Sequence, residues 1–221
     1  MRTKFDLNLL PPAPDLCFEL ALWAAGIRKV AGVDEAGRGA LAGPVAAAAV
    51  ILPPDPDLPR RLEGVRDSKE MSPAARDFWA ERVRAQCMAW SVGFASHLEI
   101  DELGIVPATR QAMKRALAGL CVTPQHLLVD YLALPDCREP QTPLVKGDAR
   151  SLSIAAASVL AKTARDALLC GLDVDFPGYG FAVNKGYGTV AHREAIARFG
   201  PCAIHRRSFA PLKAGQRNKE E

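Results

Sequence analysis

Three places in the sequence put a carboxylate at the close of an apolar run. Asp34, with Glu35 beside it, ends VAGVDE; Asp130 ends LLVD; Asp148 follows LVKG. An acid at the end of a buried strand is costly unless it is paired or bound to a cation. Several such acids converging on one point would repel one another, and a divalent ion resolves that conflict. Mg²⁺ and Mn²⁺ prefer carboxylate oxygens and water. Two such ions can activate a water and stabilise the leaving oxygen of a phosphodiester. The bland alternative is that acids after strands serve as helix caps and turn residues. For any one of these acids taken alone, that alternative is the commoner. Glu35 adds a condition, because neighbours in a regular strand face opposite ways. It and Asp34 can share a site if the strand ends or bulges there, which Gly37 and Gly39 would allow.

The elements that must carry these acids follow from pattern. Arg28–Asp34 reads as a strand entering the glycine-rich turn AGRGALAG, and Val45–Leu52 as a second strand, together a hairpin. A first helix opens at Pro14-Asp15 and runs to about Gly26. Pro53–Pro59 is a proline-rich loop. Ser72-Pro73 starts a helix that continues through Cys87. Trp90–Ser96 is a strand, Pro107–Leu120 a helix, and His126–Asp130 and Leu144–Lys146 are short strands. Ser151–Leu169 is helical and rich in alanine, which suits close packing on a sheet. A last helix lies near Thr189–Phe199. Early strands followed by alternating strands and helices predict one central mixed sheet flanked by helices, with a helical C-terminal region: an α/β or α+β fold with a single core. Residues 1–27 read as an arm and short helix, 28–210 as one domain, and 211–221 as a basic tail.

Gly37-Arg38-Gly39 invites a dinucleotide reading, but the register fails. G-x-G-x-x-G needs glycine at position 42, where Ala42 stands, and no helix opens after Pro44. Two readings remain open. The glycines let backbone approach a polyanion or sugar, with Arg38 adding charge, or they form a plain turn with Arg38 in solvent.

The 221 residues include 28 Lys+Arg and 25 Asp+Glu, a net charge of +3. That total hides an asymmetry. Residues 185–221 carry 8 basic and 3 acidic residues, leaving 1–184 at −2. An acidic site and a basic segment suited to a phosphate backbone add to near neutrality. The six cysteines form no C-x-x-C pair, so neither a thiolate zinc site nor a disulfide framework is expected. No stretch reads as a signal peptide or a membrane span. A reduced, cytoplasmic monomer without membrane contact is the expectation.

Seven segments, in order, resemble the ribonuclease HII family: VAGVDEAGRGALAGPVAAAAVIL, DSKEMS, GIVPATRQAM, LLVDYLALP, KGDARSLSIAAASVLAKTARD, YGFAVNKGYGTVAH and HRRSF. They span roughly residues 30 to 210. The resemblance implies a ribonuclease-H-like fold. It implies an endonuclease that cuts the RNA strand of RNA–DNA hybrids and nicks 5′ of ribonucleotides embedded in DNA, leaving 3′-hydroxyl and 5′-phosphate ends. It implies Mn²⁺ or Mg²⁺ at Asp34, Glu35, Asp130 and Asp148. It also implies that Gly37, Arg38 and Gly39 clamp a ribose 2′-hydroxyl, and that Tyr187 stacks where ribonucleotide meets deoxyribonucleotide. Two positions depart from the family pattern: Tyr131 stands where glycine is common, and Ala40 where proline is common. If strand pleating continues past Asp130, Tyr131 points away from the acid.

Further candidates have competing readings. Lys69, Lys146, Arg206 and Arg207 are candidate phosphate contacts, or solvated surface charges. Asp166 has Lys162 four residues earlier, so a helix-surface ion pair is favoured over a ligand. Glu99, Asp101 and Glu102 suit the start of a helix better than a metal. No Ser/His/Asp arrangement around His192 or His205 is readable. The alternatives to a ribonuclease are a junction nuclease of the same superfold, which would need no 2′-hydroxyl, and a non-catalytic binding module.

Overall fold

The computed structural model describes residue 6 and residues 10–213. Most of the expected arm before Pro11, and positions 214–221 of the expected tail, lie outside the described residues.

Five strands form one mixed sheet: β1 (Val30–Ala36), β2 (Val45–Ile51), β3 (Ala89–Ala95), β4 (His126–Asp130) and β5 (Gln141–Leu144). Their order is β3-β2-β1-β4-β5. β2 pairs antiparallel with both β1 and β3, whereas β4 lies parallel to β1 and to β5. The helices are α1 (Cys17–Ala24), α2 (Leu58–Arg61), α3 (Pro73–Gln86), α4 (His97–Leu103), α5 (Ile105–Ala118), α6 (Leu152–Leu172), α7 (Phe181–Asn184) and α8 (Val190–Phe199). The α/β expectation of a mixed sheet flanked by helices holds.

α6 and α3 cover one face of the sheet, and α5 covers the other. β2, VAAAAVI, is buried along its whole length. Its four alanines leave the helices on both faces room to come close. The approach is tightest at Gly32 of β1, where an added Cβ would lie 2.1 Å from the Ser153 carbonyl carbon. Helix starts follow the sequence signals. Ser72 accepts from Ala75 N, and Ser96 with Glu99 forms a reciprocal capping box.

Several local expectations are corrected. The link between β1 and β2 is the long loop 37–44 rather than a tight hairpin turn. The strand expected at Leu144–Lys146 lies earlier, at Gln141–Leu144, because Lys146 takes a left-handed conformation (φ 57°) that ends it. α2 falls partly within the expected proline loop. α4 contains Glu99, Asp101 and Glu102 rather than following them.

Candidate active site

β1 and β4 run parallel, so Asp34 and Asp130 emerge at the same edge of the sheet. Their pairing stops at Val33↔Val129. β1 nevertheless stays in register with β2 through Ala36↔Ala46. There is no bulge in this pairing, and the strand end that Glu35 was expected to need comes one residue later, at Ala36 before Gly37. Beyond Val33 the β4 side of β1 has no pairing strand, so side chains from both faces can meet around that open edge.

They do meet. Asp34, Glu35 and Asp130 each offer a carboxylate oxygen, and these lie within 4.8 Å of one another. Asp148, in the short 3₁₀ turn Gly147–Ala149, is outside that close triad but borders it. Lys69 Nζ stands 3.9 Å from its Oδ2. Gly147 N donates to Asp130 Oδ1 at 2.7 Å, which ties the turn to the β4 end.

The electrostatics are those of crowded acids. Burial pushes the Asp34 carboxyl well above its ordinary range, and Glu35 and Asp130 push it further; a hydrogen bond from Ser158 of α6 opposes them. Asp148 is raised to about 6, first by burial, then by Asp130 and Asp67. Glu35 is also raised by burial, against the pull of Arg38, whose Nη1 is 3.1 Å from Glu35 Oε1. Glu35 Oε2 and Asp148 Oδ1 are buried without a hydrogen-bond partner. Buried acceptor oxygens in an all-oxygen cluster fit a hard divalent cation.

A cleft of about 570 Å³ opens beside the acids, lined by Glu35, the 37–39 turn, Lys69, Lys162 and Tyr187 among others. Gly37 adopts φ +92°, and a Cβ there would meet Arg165 Nε at 1.9 Å. Gly39 differs, since a Cβ would meet nothing within 4 Å. The Tyr187 ring has Lys162 Nζ 5.0 Å and the Arg165 guanidinium 5.3 Å from its centroid.

The other candidates separate clearly. Lys146 is exposed, and Lys69 is exposed at the acids' edge. Arg207 is exposed, and its backbone N donates to Asp101. Arg206 is corrected: it is fully buried, so it is neither a phosphate contact nor a surface charge. Its guanidinium donates to the carbonyls of Gly43, Arg38 and Gly37 at 2.8–2.9 Å. Tyr131 does not continue the pleat; it turns left-handed at φ 55°, a conformation glycine enters without steric cost, and its side chain is exposed. Asp166 pairs with Lys162 at 2.7 Å as expected, but also with Arg76 at 3.3 Å, and the network is mostly buried rather than on the surface. Glu99 pairs with Arg115, so the acidic cluster of α4 is structural.

Sequence reasoning missed the supports. Ser158 beneath Asp34 hydrogen-bonds Ser68 at 3.0 Å, and Arg165 donates to Ala42, Pro44 and Lys185 carbonyls. A serine in an alanine-rich helix and a lone arginine carry no pattern that would single them out.

Residues 31–212 match the family model described as Ribonuclease HII. Ribonuclease HII from Moorella thermoacetica is 54% identical over 192 residues, covering 87% of this chain and 91% of that one. Among solved structures, ribonuclease H2 from Pyrococcus horikoshii superposes with a TM-score of 0.70 at 26% identity, covering 84% and 96% of the two chains. Bst-RNase HIII in complex with Mn²⁺ superposes at 0.62 with 21% identity, covering 89% and 72%, a likeness of fold alone. With the parallel strand ends gathering Asp34, Glu35 and Asp130 at the matched motifs, the chain belongs to the ribonuclease HII family.

Proposed function

We propose that this chain is a divalent-cation-dependent endoribonuclease. It hydrolyses the RNA strand of RNA–DNA hybrids and nicks 5′ of single ribonucleotides embedded in duplex DNA, leaving 3′-hydroxyl and 5′-phosphate ends. The observation that carries the reading is the set of crowded carboxylates, two of them with orphaned buried oxygens, beside a cleft rimmed by cations.

Asp34, Glu35, Asp130 and Asp148 would hold Mg²⁺ or Mn²⁺. Ions bound there supply Lewis acidity, which makes water a nucleophile near neutral pH and stabilises the departing 3′ oxygen. The protein's own groups do the rest. Ser158 and the Glu35 backbone N–H hold the Asp34 carboxylate, and Gly147 N–H holds that of Asp130. The open space at Gly39 leaves its backbone accessible, and Arg38 is held beside it by Glu35. That suits recognition of a 2′-hydroxyl, the group that separates RNA from DNA. Tyr187 offers a ring face at the cleft wall. Lys69, Lys146 and Arg207 are exposed cations that would meet the phosphate backbone.

No helix among the described residues is long and apolar enough to cross a membrane. A cytoplasmic location and a monomeric state are part of the same proposal. The test is a duplex carrying one ribonucleotide, incubated with Mg²⁺ or Mn²⁺, with the nick mapped. A cut 5′ of the ribonucleotide is expected. No cut there and none on a long hybrid would overturn the reading, and cleavage of an all-DNA junction instead would assign the other nuclease class.

A further inference from the structure

Behind Tyr187, away from the carboxylates, two fully buried histidines face each other. His192 of α8 and His205 have their Nε2 atoms 3.1 Å apart. A hydrogen bond between them needs one proton on one of the two atoms. The outer contacts decide which. Tyr187 O, an acceptor only, is 2.9 Å from His192 Nδ1, so that nitrogen carries the hydrogen. Cys202 N, a donor only, is 2.9 Å from His205 Nδ1, and the Cys202 thiol, able to donate, is 3.0 Å from it, so that nitrogen is bare. With both rings neutral, the last hydrogen sits on His205 Nε2 and is donated to His192. The chain runs one way, from Cys202 N–H through His205 and His192 to the Tyr187 carbonyl.

The end of this chain is the segment 185–187, which other bonds also hold: Tyr187 N donates to Asn184 O at 2.9 Å, Leu41 N to Gly186 O at 2.8 Å, and Arg165 Nη1 to Lys185 O at 2.9 Å. Lys185 and Gly186 are both left-handed, at φ 52° and 78°. No regular element holds Tyr187 after them, although Thr189 N also donates to its carbonyl at 2.8 Å. The imidazoles themselves are packed firmly. Phe181 stands edge-on to His192 at 5.4 Å, and Tyr179 lies 5.2 Å from His205.

We propose that His192 and His205 are positioning residues for Tyr187. Their one-way relay sets the Tyr187 carbonyl and with it the ring in the cleft, so substrate recognition depends on the tautomers of two imidazoles that touch no substrate. The inference rests on the reading of Tyr187 as a substrate contact.

Two amide substitutions separate the two ends of His192. In His192→Asn the amide N–H takes the place of Nδ1–H and keeps the bond to Tyr187. In His192→Gln the amide oxygen takes the place of Nε2, keeps His205 and loses Tyr187. KM and kcat are measured on the single-ribonucleotide duplex, with Tyr187→Ala alongside. His192→Gln and Tyr187→Ala should raise KM by about tenfold, with kcat nearly unchanged, while His192→Asn stays within about threefold of the parent. Equal KM values for the two amide variants would overturn the relay. An unchanged KM in Tyr187→Ala would instead overturn the substrate role of Tyr187, and the relay with it. ¹H–¹⁵N imidazole spectra of the unsubstituted protein give a readout that does not depend on a variant folding. Hydrogens on His192 Nδ1 and His205 Nε2 are expected, and the opposite tautomers would overturn the proposal.

Discussion

Arg206 donates from Nη2 to the Gly37 carbonyl at 2.8 Å and from Nη1 to the Arg38 carbonyl at 2.9 Å. A buried side chain from the C-terminal segment thus grips the glycine turn from behind. Lysine has a single ammonium and lacks the planar fork needed to reach three carbonyls. Arg206→Lys should leave carbonyls unpaired, lower stability by roughly 1–3 kcal/mol and, by loosening the turn, reduce kcat/KM by about 10²-fold. Denaturant melts and initial rates on a ribonucleotide duplex measure both effects. Unchanged rates would show that the turn does not need this grip.

Asp34 is the most crowded acid. Asp34→Asn removes one charge from the cluster and should cut the rate by roughly 10³-fold or more, about 4 kcal/mol of barrier. In metal-free buffer the same change should raise the melting temperature, because neighbouring carboxylates lose a repelling partner. A variant that keeps full activity would remove Asp34 from the ligand set.

Divalent cations should stabilise the parent protein and not Asp34→Asn. A ligand at 100 times its dissociation constant contributes about 2.7 kcal/mol. Thermal melts with and without Mn²⁺ read this directly, and equal shifts in both proteins would place the ion elsewhere.

Burial, with His192 next in effect, lowers His205 from its ordinary 6.5 to about 4. The unfolded chain therefore binds a proton that the folded chain refuses between those values, and stability must fall with pH there. The contribution is fully present above about pH 6.5 and lost as pH drops toward 4. Melts of the parent and His205→Gln across pH 4–7 should converge toward the acid end. Parallel curves would show that His205 does not titrate in this range.

Gly32→Ala would press a methyl onto the α6 backbone at Ser153. Backbone cannot move aside as a flexible side chain can, so a loss of roughly 3 kcal/mol is expected, at the upper end for overpacking. Chemical denaturation measures it.

How much of this was legible depends on the kind of signal. β2 and β4 are continuous apolar runs, and both were readable nearly to the residue. β5 reads QTPL, with a proline and half-exposed residues, so nothing apolar marked it. α7 is a single turn of four residues, too short for a period. The acids were legible because charge ending an apolar run is unusual, and the motifs then joined them. Their convergence was only half legible, since the sequence suggested a strand end or a bulge after Asp34 but carried no sign that β4 stops pairing with β1 at Val33. Arg165 and Arg206 were illegible as scaffolding, because arginine in a sequence reads as surface.

Those two guanidinium groups lie inside the protein, and neither makes a salt bridge within 4 Å among the described residues. Burial and the neighbouring Arg165 lower Arg206 to about 9, still protonated at neutral pH. Dissolved ions screen charges in water far more than charges embedded in protein. Raising ionic strength should therefore weaken the pull of exposed cations such as Lys69 while leaving the field from behind the turn nearly intact. Affinity for a polyanion would then fall with salt toward a floor set by the interior of the fold.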